Sequence, residues 1–415
     1  MTLRHVVVVN DSAHINGGSA QVAIASARLL AAAGFQVHYF CATLPVDVAL
    51  QSRGITVTCT GQADLLSGGS RVAAGLRGLW NFDAAHQLHT LLKGLPPQET
   101  VVHVHGWTKA LTASLFPAIR RAGMPVVLTL HDYFTACPNG GFYDYQRRQI
   151  CQRTPMGLPC ITTHCDSRAY AHKVWRLARQ VVIRQSGQVP AGLTDVIVLS
   201  KNSRQVLQPH YPAGVRWHAV RNPIDVAPSQ RIAAELNKPF IFIGRLAAEK
   251  GADLFAQAAT TLGLPARLVG DGEERAALQR EWPALEVTGW LAPAQVQLAL
   301  AGARALVLPS RWYEGQPLVV QEALAMGIPV IVADRTGSRD LVAHGENGLL
   351  FEQGNLGSLM EMMRLLAIDD VRVQAMSQAA HAMFWQDPPT PDNHLRDLLP
   401  VYDTALRHGA LALAG

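Results

Sequence analysis

From residue 240 onward the chain repeats one phrase: about four apolar residues, a polar break, about ten residues of helical pattern, then apolar residues again. Phe240–Ile243, Ala266–Val269, 286–288, Ala305–Leu308 and 329–332 read as strands; Ala252–Leu262, 273–280, Pro293–Ala301 and 317–326 read as the helices between them. Strands this short and this uniformly apolar have no face to offer water, so both faces must be covered, and the intervening helices supply the cover. The expectation is an α/β protein with a doubly wound parallel sheet.

The first half repeats the phrase less regularly. His5–Val9 starts it, a loop through Gly17 and Gly18 leads into a helix ending near Ala33, and strands follow at 36–40, 100–105, 126–130 and 196–199. Helix hands over to strand through similar words, Ala33-Gly34-Phe35, Ala122-Gly123-Met124-Pro125 and Met326-Gly327-Ile328-Pro329. Glycine there closes a helix and proline keeps it from resuming.

A chain of 415 residues exceeds one ordinary core, which implies two domains. Four prolines (209, 212, 223 and 228) in a loop-rich stretch mark the linker. The expected division is an N-terminal domain over 1–208, a C-terminal domain over 209–385, and a last segment, 386–415, folding back on the first. With 49% hydrophobic and 16% charged residues the chain is not disordered. No apolar run reaches membrane-spanning length and no secretory leader is evident, so a cytoplasmic location is expected. Six cysteines are too few for a disulfide scaffold. Residues 1–210 hold 19 Lys and Arg against 9 Asp and Glu, whereas the rest holds 17 against 22. A basic half suits an anionic partner: nucleic acid, a membrane surface or a phosphorylated substrate.

In open parallel sheets ligands bind beyond the carboxyl ends of the strands. After Phe240–Ile243 come Gly244-Arg245 and then Lys250-Gly251, two cations suited to a diphosphate. After Ala305–Leu308 comes Pro309-Ser310-Arg311-Trp312-Tyr313-Glu314-Gly315-Gln316-Pro317-Leu318-Val319-Val320-Gln321-Glu322. Pro317 suits the first turn of a helix, whose free amides at Leu318 and Val319 suit an anion. Glu322, on an otherwise apolar helix, needs donors, and a pair of sugar hydroxyls would satisfy both its oxygens. Asn16-Gly17-Gly18-Ser19 lets backbone approach a phosphate but does not match GxGxxG, which argues against a nicotinamide site. His131-Asp132 follows another strand, at the same cleft edge. His103 and His105 flank a further strand end, where one of them should point inward; neither is assigned a role.

Taken together, Gly244-Arg245 with Lys250-Gly251, the E-x7-E pair Glu314 and Glu322, Gly17-Gly18 and His131-Asp132 resemble a retaining GT-B glycosyltransferase of family 4, over roughly residues 5–352. His131-Asp132-Tyr133-Phe134 with Cys137-Pro138-Asn139-Gly140-Gly141 also resembles members from bacterial surface-polysaccharide pathways. The resemblance implies two Rossmann-like domains facing a cleft, a nucleotide-sugar donor held mainly by the second and an acceptor held by the first; the donor is expected to be a UDP- or GDP-sugar, the acceptor a lipid-linked glycan, and no nucleic-acid partner is expected. It implies that Arg245 and Lys250 neutralise the donor diphosphate and that Glu322 binds the ribose hydroxyls. Glu314, with the amides of Gln316, Leu318 and Val319, would hold the donor sugar and its phosphate. His131 would lie beside the transferring sugar, Gly17 and Gly18 against the diphosphate, and Leu291 beside the base. No Asp-x-Asp occurs, so no metal is expected at the diphosphate.

Cys137, Cys151, Cys160 and Cys165 fall close together in a Pro-, Gly- and Thr-rich stretch, and a structural zinc site is one expectation for them, unligated thiols the other. In the next segment Lys173, Arg176 and Arg179 alternate with Tyr170, Val174, Trp175, Leu177 and Val181, a pattern suited either to peripheral contact with the anionic inner face of a membrane or to a solvated helix packed on its own domain. The sequence therefore points to a metal-independent glycosyltransferase of surface-polysaccharide assembly. A nucleotide-sugar epimerase on the same scaffold and a non-catalytic two-lobed sugar-binding protein are its rivals.

Overall fold

The computed structural model describes residues 3–62, 71–224 and 226–414. Residues 1–2 and 63–70 of the expected first domain, Asp225 of the expected linker and Gly415 lie outside them.

Among the described residues nine strands form in the first half. They are β1 (His5–Val9), β2 (Gln36–Cys41), β3 (Ile55–Cys59), β4 (Thr100–Val104), β5 (Val126–Thr129), β6 (Tyr143–Asp144), β7 (Gln149–Ile150), β8 (Asp195–Val198) and β9 (Arg216–Ala219). Seven build one parallel sheet in the order β3-β2-β1-β4-β5-β8-β9, while β6 and β7 pair antiparallel as a separate hairpin. The four valines of β1 are wholly buried, as a central parallel strand requires. Of the strands in this sheet the sequence reading lacked β3 and β9; it also lacked the hairpin β6–β7 and, in the second half, the strand Gly348–Phe351. Ile55-Thr56-Val57-Thr58-Cys59 is rich in β-branched residues, but it is only half-buried at the sheet edge, so no continuous apolar run announces it. Because β9 pairs with β8, the last strand of this sheet lies beyond residue 208.

The second sheet is formed by β10 (Phe240–Ile243), β11 (Ala266–Val269), β12 (Glu286–Val287), β13 (Ala305–Leu308), β14 (Val330–Ala333) and β15 (Gly348–Phe351). Its order is β12-β11-β10-β13-β14-β15, all parallel. Each sheet has its own core. Val7, Phe40, Val102 and Phe116 pack on one face of the first, whereas Phe242, Phe255, Val307 and Met363 belong to the second. The other face of the first sheet is covered by two helices, Gly18–Ala32 and Pro391–Ala414, whose Ala23, Ala27, Leu398 and Tyr402 pack with Val6 and Val8.

Both sheets reverse direction once. In the first, β1 and β4 are neighbours from which the chain winds opposite ways; in the second, β10 and β13 are. Loops leaving the carboxyl ends of such a pair turn apart and open a crevice. Of the residues expected to touch the donor, Gly17, Gly18, His131, Arg245, Lys250, Glu314 and Gln316 lie in or next to loops leaving β1, β5, β10 and β13.

Candidate functional site

The loop after β10 and the loop after β13 are locked together. Gly251 has a φ of 72° and lies so close to Pro309 that a Cβ there would fall 2.1 Å from its carbonyl oxygen, so only glycine fits. The amide of Arg311 donates to the carbonyl of Glu249 at 2.8 Å, and the Arg311 guanidinium forks onto Asp253 at 2.6 and 2.9 Å. Gly337 supports the same loop from β14, its amide donating to the Glu314 carbonyl at 2.9 Å. Within this frame Lys250 is ion-paired with Glu314, and Ser310 donates to the other Glu314 oxygen at 2.5 Å. The Lys250 ammonium also lies 5.3 Å from the centre of the Trp312 ring.

Arg245 pairs with Glu249, four residues on. Glu249 is 1% exposed, and its second oxygen is buried without a hydrogen-bond partner, while the arginine side chain is 57% exposed. A buried carboxylate beneath an open guanidinium fixes the base of that side chain and leaves its outer face to solvent. Sequence reasoning missed Glu249, although a carboxylate four residues after a cleft arginine was the available signal.

Glu322 is half-buried on the helix Leu318–Ala325, and among the described residues its carboxylate has no hydrogen-bond or ion-pair partner. Burial raises its pKa. Pro317 is the N-cap residue rather than the first helical one. Gln316 is buried and accepts from the Gln321 amide at 3.3 Å, while Leu318 and Val319 are half-buried. Leu291 packs against the second core beside Trp290, which is 75% exposed.

The first domain meets this cluster through the loop after β5. A Cβ at Gly315 would lie 4.0 Å from the His131 carbonyl oxygen, the Tyr133 and Tyr313 rings are 6.3 Å apart, and one at Gly141 would lie 3.0 Å from the Trp312 ring. The His131 backbone and Gly315 are thus neighbours across the cleft. Burial pushes the His131 imidazole down to about 4, so it is neutral at neutral pH. Asp132 accepts from the Phe134 amide at 3.0 Å, and burial pushes its carboxyl up to about 6. Gly17 caps the helix Gly18–Ala32, and no atom lies within 4 Å of a Cβ placed on either Gly17 or Gly18. That edge is open to a ligand, but nothing ties it to the Lys250 cluster. Asp11, also missed, accepts from the amides of Lys109, Ala110 and Leu111, each at 2.9 Å, and pins the segment that follows His105.

The zinc expectation is corrected. Among the described residues no group of three or more Cys, His, Asp and Glu is placed to hold a metal ion. Instead the ammonium of Lys173, wholly buried, lies 3.5 Å from Cys160 Sγ and 3.2 Å from Cys165 Sγ, while Arg153 contacts Cys151 Sγ at 3.5 Å. A lysine already supplies the cation among these thiols. The basic surface expected of the helix Tyr170–Gln185 is also corrected. Lys173 and Arg179 are buried and Arg176 pairs with Asp166 at 2.8 Å, so the exposed large hydrophobic residues are Tyr170, Val174 and Val181, alongside His172 and Gln185. No helix among the described residues is long and apolar enough to cross a membrane.

Two family profiles cover most of the chain. Residues 16–228 match one described as Glycosyltransferase Family 4, and residues 237–369 match one described as Glycosyl transferases group 1. The chain belongs to glycosyltransferase family 4. Among relatives of this family-4 glycosyltransferase, a GDP-mannose-dependent alpha-mannosyltransferase of Mycolicibacterium smegmatis is 41% identical over 111 residues, 27% of this chain and 29% of that protein. A lipopolysaccharide 1,6-galactosyltransferase of Salmonella typhimurium is 32% identical over 170 residues, 37% of this chain and 47% of that protein. The matched segments therefore span less than half of either relative. The crystal structure of Anabaena Alr3699/HepE in complex with UDP shares the fold, with a TM-score of 0.65 at 16% identity over 97% of this chain and 100% of that one. The fold is GT-B, two Rossmann-like domains facing a cleft.

Proposed function

We propose that this chain transfers a hexosyl group from a UDP- or GDP-sugar to a glycan acceptor, with retention of configuration and without a catalytic metal, in the assembly of a surface polysaccharide whose growing end is lipid-linked. One observation carries the reading: Lys250, Ser310 and Glu314 are paired in one cluster, and Gly315, the residue next to it, lies beside the His131 backbone of the first domain. In relatives the donor chemistry is of this kind, GDP-mannose for the mycobacterial mannosyltransferase and UDP in the Anabaena structure.

In this reading the second domain, shortened here to start after β9, holds the donor. The donor diphosphate takes Lys250 from Glu314 and the open face of Arg245; freed of its cation, Glu314 accepts hydroxyls of the sugar. The free amides at the start of the helix Leu318–Ala325 meet phosphate oxygen, and the unpartnered Glu322 accepts the two ribose hydroxyls. Leu291 lies against the base, and Gly17 and Gly18 admit the diphosphate from the other side. Breaking the bond between the anomeric carbon and phosphate builds negative charge on the leaving diphosphate, where the two cations and the amides are already placed. Retention follows when the acceptor hydroxyl attacks from the leaving-group face: its oxygen bonds the anomeric carbon as the phosphate departs, and its proton passes to a diphosphate oxygen.

The acceptor lies on the first domain, 1–208 continued through β9. Peripheral membrane contact, in this reading, is made by apolar rather than basic residues: Leu158, Tyr170 and Val174 are exposed, and the Tyr170 hydroxyl donates to the Ile161 carbonyl at 2.8 Å, which holds the two segments together.

A panel of nucleotide sugars tests the reading. Thermal stabilisation by one nucleotide series, with nucleoside diphosphate released only when a glycan acceptor is present, is expected. Conversion of the donor sugar to its epimer without acceptor indicates the epimerase, and binding without turnover under any acceptor indicates the sugar-binding protein.

A further inference from the structure

The imidazole of His131 is not held by its own loop. It is held by His105, which follows β4, the strand beside β5. Nδ1 of His105 lies 3.0 Å from Nε2 of His131, with the rings stacked at 5.3 Å and 27°. His105 is 4% exposed, and its own Nε2 is buried with no hydrogen-bond partner. Burial in this cluster holds His105 and His131 neutral, so each ring carries one proton.

Two proton arrangements make the bond. If His105 were protonated on Nε2, a buried N–H would be left without an acceptor. If it is protonated on Nδ1, that N–H donates to His131, and the orphan is a bare acceptor nitrogen. Buried donors without partners are rarer and costlier than under-used acceptors. His131 must then carry its proton on Nδ1, and among the described residues that nitrogen has no partner.

We infer that His105 is a positioning residue that fixes His131 as the Nδ1–H tautomer, so that the neutral ring donates a hydrogen bond from Nδ1 to an oxygen of the transferring sugar. The inference rests on the reading that places His131 beside that sugar. His103 supports the arrangement from behind. Its ring centre is 4.0 Å from that of His105, and it is held at both nitrogens, by the Tyr402 hydroxyl at 2.6 Å and by Thr129 Oγ1 at 2.7 Å. The C-terminal helix, through Tyr402, thereby becomes part of the support.

Two measurements test the role. In 15N-histidine-labelled wild-type protein, two-bond proton–nitrogen correlations should show the His131 ring protonated on Nδ1; a ring protonated on Nε2 overturns the inference whatever the activity data show. The second measurement uses paired variants. His105→Asn keeps an amide donor at the Nδ1 position, and His105→Gln moves it to the Nε2 position. Turnover in His105→Gln should fall by about tenfold with a smaller change in the donor KM, the size of one neutral hydrogen bond lost in the transition state, and His105→Asn should recover most of it. Equal losses in both variants at equal melting temperature overturn the positioning role. His131→Ala separates the two ideas, because full turnover in that variant removes the reading of His131 and leaves the tautomer measurement standing.

Discussion

The two sides of the cleft solve the same problem with opposite chemistry. On the second domain the two cations pair with carboxylates, Lys250 with Glu314 and Arg245 with Glu249, so each of them has a partner that a ligand can replace. On the first domain the corresponding edge is built from neutral imidazoles, His103 and His105 buried and His131 half-buried, each fixed by hydrogen bonds within the fold. Exchangeable ion pairs suit a substrate that arrives with its own charge, as a diphosphate does. Fixed neutral donors suit a sugar, which has only hydroxyls to offer and loses orientation if the protein group can turn.

The hardest way to break this comparison is to remove a cation. Lys250→Ala loses a charge-assisted contact and leaves Glu314 unpaired, so turnover should fall by about a hundredfold, and Arg245→Ala, at a more open site, by about tenfold. Steady-state kinetics of both variants check this, and wild-type rates in both would end the exchange picture.

Glu322 gives the next largest effect. Glu322→Gln should weaken donor binding by about 1 to 3 kcal/mol, and the variant should discriminate far less between ribo- and 2′-deoxynucleotide in calorimetry. The pH dependence has a definite sign. Burial raises the Glu322 pKa, so on acidification the carboxylate is lost at a higher pH than an ordinary glutamate would be, and wild-type donor affinity should decline there while that of Glu322→Gln stays flat. Equal discrimination by both proteins would assign Glu322 to structure alone.

A smaller change sharpens the neutral side. Tyr402→Phe removes one buried hydrogen bond to His103, which should lower stability by about 1 kcal/mol in chemical denaturation while leaving donor affinity intact. Loss of donor affinity at unchanged stability would contradict a supporting role.

The smallest expected effect is a response to salt. With Lys173 and Arg179 buried, binding to anionic vesicles through the Tyr170 and Val174 surface should change less than about twofold between low and physiological salt, whereas Val174→Asp should reduce it. Vesicle flotation decides this, and strong salt sensitivity would restore a basic contact.

Much of the fold was legible because its signal is local. An apolar run of four to six residues followed by a helical period needs no knowledge of the rest of the chain, and the edge strand β3 escaped because its outer position relaxes that pattern. The candidate site was legible as a set of positions for a related reason: residues just beyond strand ends face the crevice in any doubly wound sheet, so Arg245, Lys250, Glu314 and His131 could be named from their place after a strand.

The pairings were not legible. Lys250 meets Glu314 across 64 residues and His105 meets His131 across 26, and both contacts exist because strand order makes β10 adjacent to β13 and β4 adjacent to β5. The side of a helix that faces inward was hidden as well. Lys173 reads in sequence like a surface cation, and only the packing of its helix against the cysteine-bearing loop turns it to two thiols. Sequence alone determined which residues stand at the ends of strands, since that follows from local period. Tertiary structure decided which of them touch, and so which charges pair and which imidazoles meet, because those depend on neighbours that the chain order does not place side by side.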